Sequence, residues 1–245
     1  MLDPLKRKIR LAHRTRLHPL GFELDLRSND ERVLQAARQS WGRFEKCFDS
    51  HPLKVCIAVA AGTDAKLPPE PVFRARRHLT SIVADRMNFA TLDYSQGIGF
   101  AWVTEPVVDN ADFFRWFFLE AMVYCLLTER YLTPIHTGCV AREGRGLLLQ
   151  GESGAGKSTL TFACARQGWS LVSDDVAWLV RSDRNRRVLG RPHHLRLRPD
   201  TAALFPELKN RPAGLAVNGK PAVEIALQEF PAIALATECE VAASI

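Results

Sequence analysis

Residues 151–158 read Gly-Glu-Ser-Gly-Ala-Gly-Lys-Ser and satisfy the pattern G-x-x-x-x-G-K-[ST]. Each residue type in that pattern has a chemical reason. Gly151, Gly154 and Gly156 let backbone N–H groups converge on phosphate oxygens without interference from a Cβ. Lys157 supplies a full positive charge at the β- and γ-phosphates of a nucleotide, and the Ser158 hydroxyl is a ligand for Mg²⁺. Glu152, Ser153, Ala155 and Thr159 complete the expected ATP-binding stretch.

The flanks supply what such a loop requires. Gly146 to Gln150 is an apolar run of strand length leading into the loop. Leu160, Ala163 and Cys164 follow at helical spacing, and Gly168 falls where a helix ends. A helix N-terminus adds partial positive charge at the same spot. Beyond the helix, Ser170 to Ser173 is strand-like and leads to Asp174 and Asp175. Asp-Asp is good turn chemistry in its own right. Beside a phosphate loop, one carboxylate is suited to holding Mg²⁺ or its water, and the other to taking the proton of an attacking hydroxyl. His136, in the loop-like Pro134-Ile135-His136-Thr137-Gly138, is a candidate on weaker grounds, because a lone histidine is usually structural.

His136 stands twenty-one residues before Lys157, and Asp174 seventeen after it. With the glycine loop and the Leu171-Val172-Ser173-Asp174-Asp175 run, this spacing resembles the HPr kinase/phosphorylase family. More narrowly it is similar to HprK-related kinases outside sugar regulation, some of which act in peptide-modification pathways. The resemblance spans about 136–180. It implies phosphate binding by Lys157, magnesium ligation by Ser158, and Asp175 as the base on an acceptor serine. It also implies His136 in the active site and Asp174 as an electrostatic or metal-water partner. The implied activity is ATP- and Mg²⁺-dependent transfer to a serine of a protein or peptide, by an enzyme of a family that tends to assemble into homo-oligomers.

The chain departs from that family in three places. The family's second metal-ligating glutamate has no counterpart, and Asp200 is the substitute on offer. No Pro-Gly-Arg-Asn-like segment occurs near the C-terminus, and the N-terminal half does not resemble the family's regulatory domain. Arg191, Arg196 and Arg198 are either cations for a transferring phosphoryl group or surface-paired residues of a hairpin. Three other functions stay open: a nucleotide-driven ATPase, a small-molecule kinase, and a regulatory module that binds nucleotide without catalysis. No Leu-Ser-Gly-Gly-Gln or Asn-Lys-x-Asp signature points to an ABC ATPase or a GTPase.

The rest of the chain must position these groups. Its 245 residues, 47% hydrophobic and 24% charged, suit one large domain or two small ones. The expected fold is α/β: a P-loop kinase core with a mixed central sheet, of the HPr kinase/PEP carboxykinase-like kind, extended by N-terminal α+β structure. The N-terminal region is assigned 1–108 and the catalytic domain 109–245, with N-terminal strands adding to the same sheet. Helices are expected over Asp30 to Phe44 and Asp112 to Tyr131, and a strand over Leu53 to Ala60. The end of the chain, around Glu238-Cys239-Glu240, shows no closing helix, so a partner is one way to complete the site.

The net charge is +6, gathered at Lys6, Arg7, Lys8, Arg10, Arg14 and Arg16 and again from Arg181 to Arg191. Both runs read as solvated surface and give no clear nucleic-acid signal. Six cysteines without C-x-x-C or zinc spacing favour a reducing, cytoplasmic setting. Phe113 to Leu127, interrupted by Arg115 and Glu120, is too short to span a bilayer, and the N-terminus lacks a signal-peptide core.

Overall fold

The alternating and helical patterns of the first half build a complete layer pair of their own. The computed structural model describes residues 9–62, 66–181, 183, 186–192, 194–215 and 221–245. Lys6, Arg7, Lys8 and Arg184 of the two basic runs lie outside the described residues. The chain divides into two compact units, Met1–Arg130 and Tyr131–Ile245.

The first unit contains β1 (His13–Leu17), β2 (Leu24–Ser28), α1 (Glu31–Trp41), β3 (Leu53–Ala60) and β4 (Val72–Arg76). It continues with β5 (Leu79–Val83), β6 (Phe89–Asp93), β7 (Ile98–Thr104), α2 (Glu105–Asp109), α3 (Ala111–Phe114) and α4 (Glu120–Arg130). The strands form one mixed sheet in the order β1-β2-β3-β7-β6-β5-β4. Asp30 caps α1 by accepting from the Arg32 N–H, and Val33, Leu34, Ala37 and Trp41 turn its apolar face inward. Between α3 and α4, Arg115–Leu119 is a wide π turn within the long helix expected from the sequence. Phe118, Met122, Val123 and Leu126 of this helical run are fully buried, and α4 packs on β3, β6 and β7. A Cβ on Gly99 would meet the Met122 side chain at 2.9 Å, so the glycine lets helix and sheet approach. This packing carries the division of the chain past 108 to Arg130, because the helix expected to open the second domain belongs to the core of the first.

The second unit contains β8 (Leu132–His136), β9 (Gly138–Arg142), β10 (Arg145–Leu149), α5 (Lys157–Arg166), β11 (Ser170–Ser173) and β12 (Val176–Val180). After these come β13 (Arg187–Leu189), β14 (His194–Leu197), α6 (Pro199–Ala202), β15 (Gly214–Leu215), β16 (Pro221–Ala226) and β17 (Glu238–Ser244). Seven strands pair in the order β11-β9-β10-β17-β13-β12-β8, and β14-β16-β15 form a small separate sheet. The N-terminal strands therefore do not extend this sheet, contrary to expectation. The segment with no closing helix is instead β17, which pairs parallel with β10 and antiparallel with β13.

Two long antiparallel ribbons bend where the site residues lie. Strand β8 passes through Thr137 into β9, and β11 passes through Asp174 and Asp175 into β12. His136 pairs with Val176 on one side of the bend and Cys139 with Ser173 on the other, with a register shift between Leu171 and Ser173. Such irregularities bend a strand and re-aim its side chains. His136 thus ends an edge strand rather than occupying a loop, and the edge position is why Pro134 is tolerated there. Helix α5 packs against β9 and β11 and also against the small sheet, where Phe162, Leu171, Leu195, Leu197, Phe205 and Ile225 form one buried cluster. No helix among the described residues is long and apolar enough to cross a membrane. All six cysteines are free thiols.

Candidate active site

Strand β10 delivers the chain to Gln150, and α5 starts at Lys157, so residues 150–156 form the turn between strand and helix. Gly151, Gly154 and Gly156 have φ values of 147°, 96° and 94°, which side chains rarely adopt. Space is restricted as well: a Cβ on Gly151 would stand 2.9 Å from the Ala155 Cβ. Gly156 caps α5 without a side-chain hydrogen bond, and the helix's first turn has no acidic residue. Its first N–H groups therefore face the loop with no side-chain acceptor from the cap. The Lys157 ammonium donates to the Gly151 carbonyl at 2.8 Å and to the Glu152 carbonyl at 3.2 Å, which holds it across the loop.

Asp174 reaches the same place from the bend in the ribbon. Its Oδ2 accepts the Arg196 backbone N–H at 2.9 Å. Its Oδ1 is enclosed and makes no hydrogen bond. Burial pushes this carboxyl up to about 6, opposed by the Arg196 N–H and the Ser158 hydroxyl, with the neighbouring Asp175 charge adding to the rise. Ser158 in the first turn of α5 is thus close enough to act on Asp174, while one carboxylate oxygen stays unmatched.

Asp175 points outward and is 71% exposed. His136 Nδ1 lies 3.1 Å from its Oδ1 and 3.1 Å from its carbonyl oxygen. The Thr137 N–H donates to that same carbonyl at 2.9 Å, pinning the two ribbons together beside the pair. Gly138 is needed at this point, because a Cβ there would collide with Thr161 of α5.

The structure separates the candidate arginines by role. The Arg198 guanidinium lies against the loop, with Nη2 2.7 Å from where a Gly154 Cβ would be. Arg196 contributes its backbone N–H to Asp174 and extends its side chain toward Glu224, 3.4 Å away. Arg187 is paired with Asp183 and Glu238. Asp200 starts the short helix α6, where its carboxylate accepts the Thr201 N–H. Lys157, Ser158 and Asp174 are therefore brought to one place, His136 and Asp175 pair at its rim, and Asp200 is engaged in its own turn. The Arg196 N–H carries no signal in sequence, since any residue except proline offers the same donor.

Mg²⁺ takes oxygen ligands, few of them from protein when phosphates supply the rest. An enclosed, unmatched carboxylate oxygen near a serine hydroxyl fits that requirement. Among the described residues no group of three or more His, Cys, Asp or Glu gathers as a self-sufficient metal cage.

No protein-family model matches the chain, and no curated protein matches it. Among solved structures, the Hpr(Ser) kinase/phosphatase from Coxiella burnetii is similar at 22% identity with a TM-score of 0.31. The match covers 46% of this chain and 63% of that one, so the chain spans less than two thirds of that structure's length.

Proposed function

We propose that the unit Tyr131–Ile245 is an ATP-dependent phosphotransferase that moves the γ-phosphate to a hydroxyl, with a serine of a protein or peptide as acceptor. The observation that carries this is the unmatched, enclosed Oδ1 of Asp174 beside Ser158, at the foot of a helix whose N-terminus faces a glycine loop. A glycine loop alone needs no buried carboxylate, and a carboxylate placed only for structure would have both oxygens bonded.

In this mechanism the loop amides and the first turn of α5 hold the β- and γ-phosphates. Lys157 exchanges its two carbonyl bonds for phosphate oxygens, and Arg198 over Gly154 adds a second cation to the same group. Ser158 and Asp174 are the residues that would hold Mg²⁺, which when bound offsets phosphate charge. Asp175 is exposed at the rim, within reach of an incoming hydroxyl, and His136 fixes one of its oxygens. The acceptor oxygen bonds to the γ-phosphorus as the bond from that phosphorus to the β–γ bridging oxygen breaks. ADP leaves, and the hydroxyl proton passes to Asp175.

The test is incubation of wild type and Asp175→Asn with γ-labelled ATP, Mg²⁺ and lysate of the source cell. The expected result is a labelled protein or peptide with wild type only, with ATP binding preserved in the variant. Consumption of ATP with no labelled species would replace transfer by hydrolysis. Full transfer by Asp175→Asn would remove the base assignment.

A further inference from the structure

The two edges of the first unit's sheet are finished differently. At one edge, β1 carries Arg14 and Arg16, but Asp25 takes Arg14 at 2.7 Å and Glu23 lies 3.9 Å from Arg16. Helix α1 also packs on β1. At the other edge, β4 reads Val72-Phe73-Arg74-Ala75-Arg76, and all five residues are exposed. Val72 is 55% and Phe73 47% exposed, large values for side chains of that kind in a sheet. Among the described residues neither Arg74 nor Arg76 has a carboxylate within ion-pair distance, and Arg77 follows at the hairpin tip with φ 55°. The acids of the neighbouring turns are engaged locally. Asp85 accepts from the Met87 and Asn88 amides, and Asp93 accepts from Ser95. From Glu70 to Leu79 there are three arginines against one glutamate.

The backbone of β4 is available too. Its partner β5 joins through the two-residue turn Arg77–His78, and the ladder closes at Arg76 opposite Leu79. In such a hairpin the residues flanking the turn form a hydrogen-bonded pair, and every second residue does so thereafter. Val72, Arg74 and Arg76 thus bond to β5, while Phe73 and Ala75 aim their N–H and C=O groups away from the sheet. By the alternation of a strand, Arg74 and Arg76 share one face with Val72, and Phe73 lies on the other.

The geometry points to β4 as a docking edge for an extended acidic segment of another protein, which adds to the sheet as an eighth strand. The fitting segment alternates: carboxylates on the face of Arg74 and Arg76, apolar side chains on the face of Phe73. Main-chain bonds to Phe73 and Ala75 hold it, and the arginines select it. Antiparallel pairing of β4 with a second copy, centred on Arg74, sets arginine opposite arginine, which counts against this chain as its own occupant. This inference is independent of the phosphotransfer proposal.

The experiment uses the full chain and a fluorescein-labelled peptide Ser-Glu-Val-Glu-Val-Glu-Ser, with binding read by anisotropy. The control peptide, Ser-Glu-Glu-Glu-Val-Val-Ser, has the same composition without the alternation. The alternating peptide is expected to bind at least about tenfold tighter than the control. The double variant Arg74→Glu/Arg76→Glu should lose about tenfold or more for it and gain affinity for Ser-Lys-Val-Lys-Val-Lys-Ser. Ala75→Pro removes one outward N–H and no bond to β5, so it should weaken both pairings with an unchanged circular-dichroism spectrum. Equal binding of the two acidic peptides, or binding indifferent to Ala75→Pro, overturns strand addition. So does a labelled oligothymidylate that competes equally well, which would mark a general basic surface. A dimer abolished by Ala75→Pro would give the edge to a second copy and also overturn the proposal.

Discussion

Glu120 in the first unit and Asp174 in the second are carboxylates largely withdrawn from solvent, and they are treated in opposite ways. Glu120 in the first unit is 6% exposed, and its Oε1 accepts from the Ser40 hydroxyl at 2.7 Å and from Arg115 at 2.9 Å. It ties α1 to the long helical run with a cation at hand. Asp174 in the second unit has one oxygen on a backbone N–H and the other on nothing. A buried charge with a full set of partners is a structural clasp, whereas a half-matched one is held ready for a ligand. The comparison can be broken by experiment, since removing each charge should have opposite consequences.

The largest expected effect is on transfer. Asp174→Asn should lower phosphoryl transfer by on the order of 10³-fold, while the variant folds at least as well as wild type. Labelled-ATP assays and thermal denaturation in the same buffer read both. An active Asp174→Asn variant would make the bare oxygen a packing accident. Glu120→Gln should do the reverse. It leaves Arg115 without its charge partner at a cost of about 3 kcal/mol, seen as a lower unfolding midpoint, while the loop of the second unit is untouched.

A smaller effect is the pH dependence of stability. Asp174 rises from an ordinary 3.8 to about 6 in the folded chain. The folded state therefore holds this proton more tightly than the unfolded state does. The stability it contributes is present in full below about pH 4 and is lost as pH rises through about 6. The rise bounds the effect near 3 kcal/mol, and partial exposure of the residue reduces it to about 1–2 kcal/mol. Urea midpoints of wild type should fall relative to those of Asp174→Asn across that window. Parallel curves would mean the carboxyl is solvated in the native state.

The same contrast marks what could be foreseen in the chain. The strand, glycine loop and helix from Arg145 to Arg166 have local causes: an apolar run, glycines that accept positive φ, and apolar residues at helical spacing. Such causes can be read residue by residue. The helix of the first unit was legible too, but its allegiance was not, because Phe118 and Met122 would fit any apolar sheet and only tertiary packing selects β3, β6 and β7. The strand that ends at His136 was obscured by Pro134, which reads as a breaker until an edge position excuses it. Strand β17 was missed for a related reason: an interior strand declares itself only through its partners β10 and β13. At the site, side chains with chemistry were visible in advance, whereas the Arg196 N–H that orients Asp174 was not. Arg198 and Arg196 looked equivalent in sequence, and only the fold gives one to the loop and the other to Glu224.

The smallest effect concerns His136, and it sharpens the line between a clasp and a site at the exposed rim. The imidazole is 59% and the Asp175 carboxylate 71% exposed, so their 3.1 Å contact is screened by water and contributes little to stability. If His136 orients the base, His136→Gln should lower kcat by about tenfold and leave the KM for ATP and the unfolding midpoint unchanged, whereas a merely structural contact would leave kcat alone. Nδ1 has a single hydrogen to share between the carboxylate and the carbonyl of Asp175, and a glutamine amide can donate to the same pair but from a more flexible side chain. Partial loss is therefore the signature of orientation. Complete loss would move the proton acceptor from Asp175 to His136, and no loss at all would leave the pair as surface chemistry.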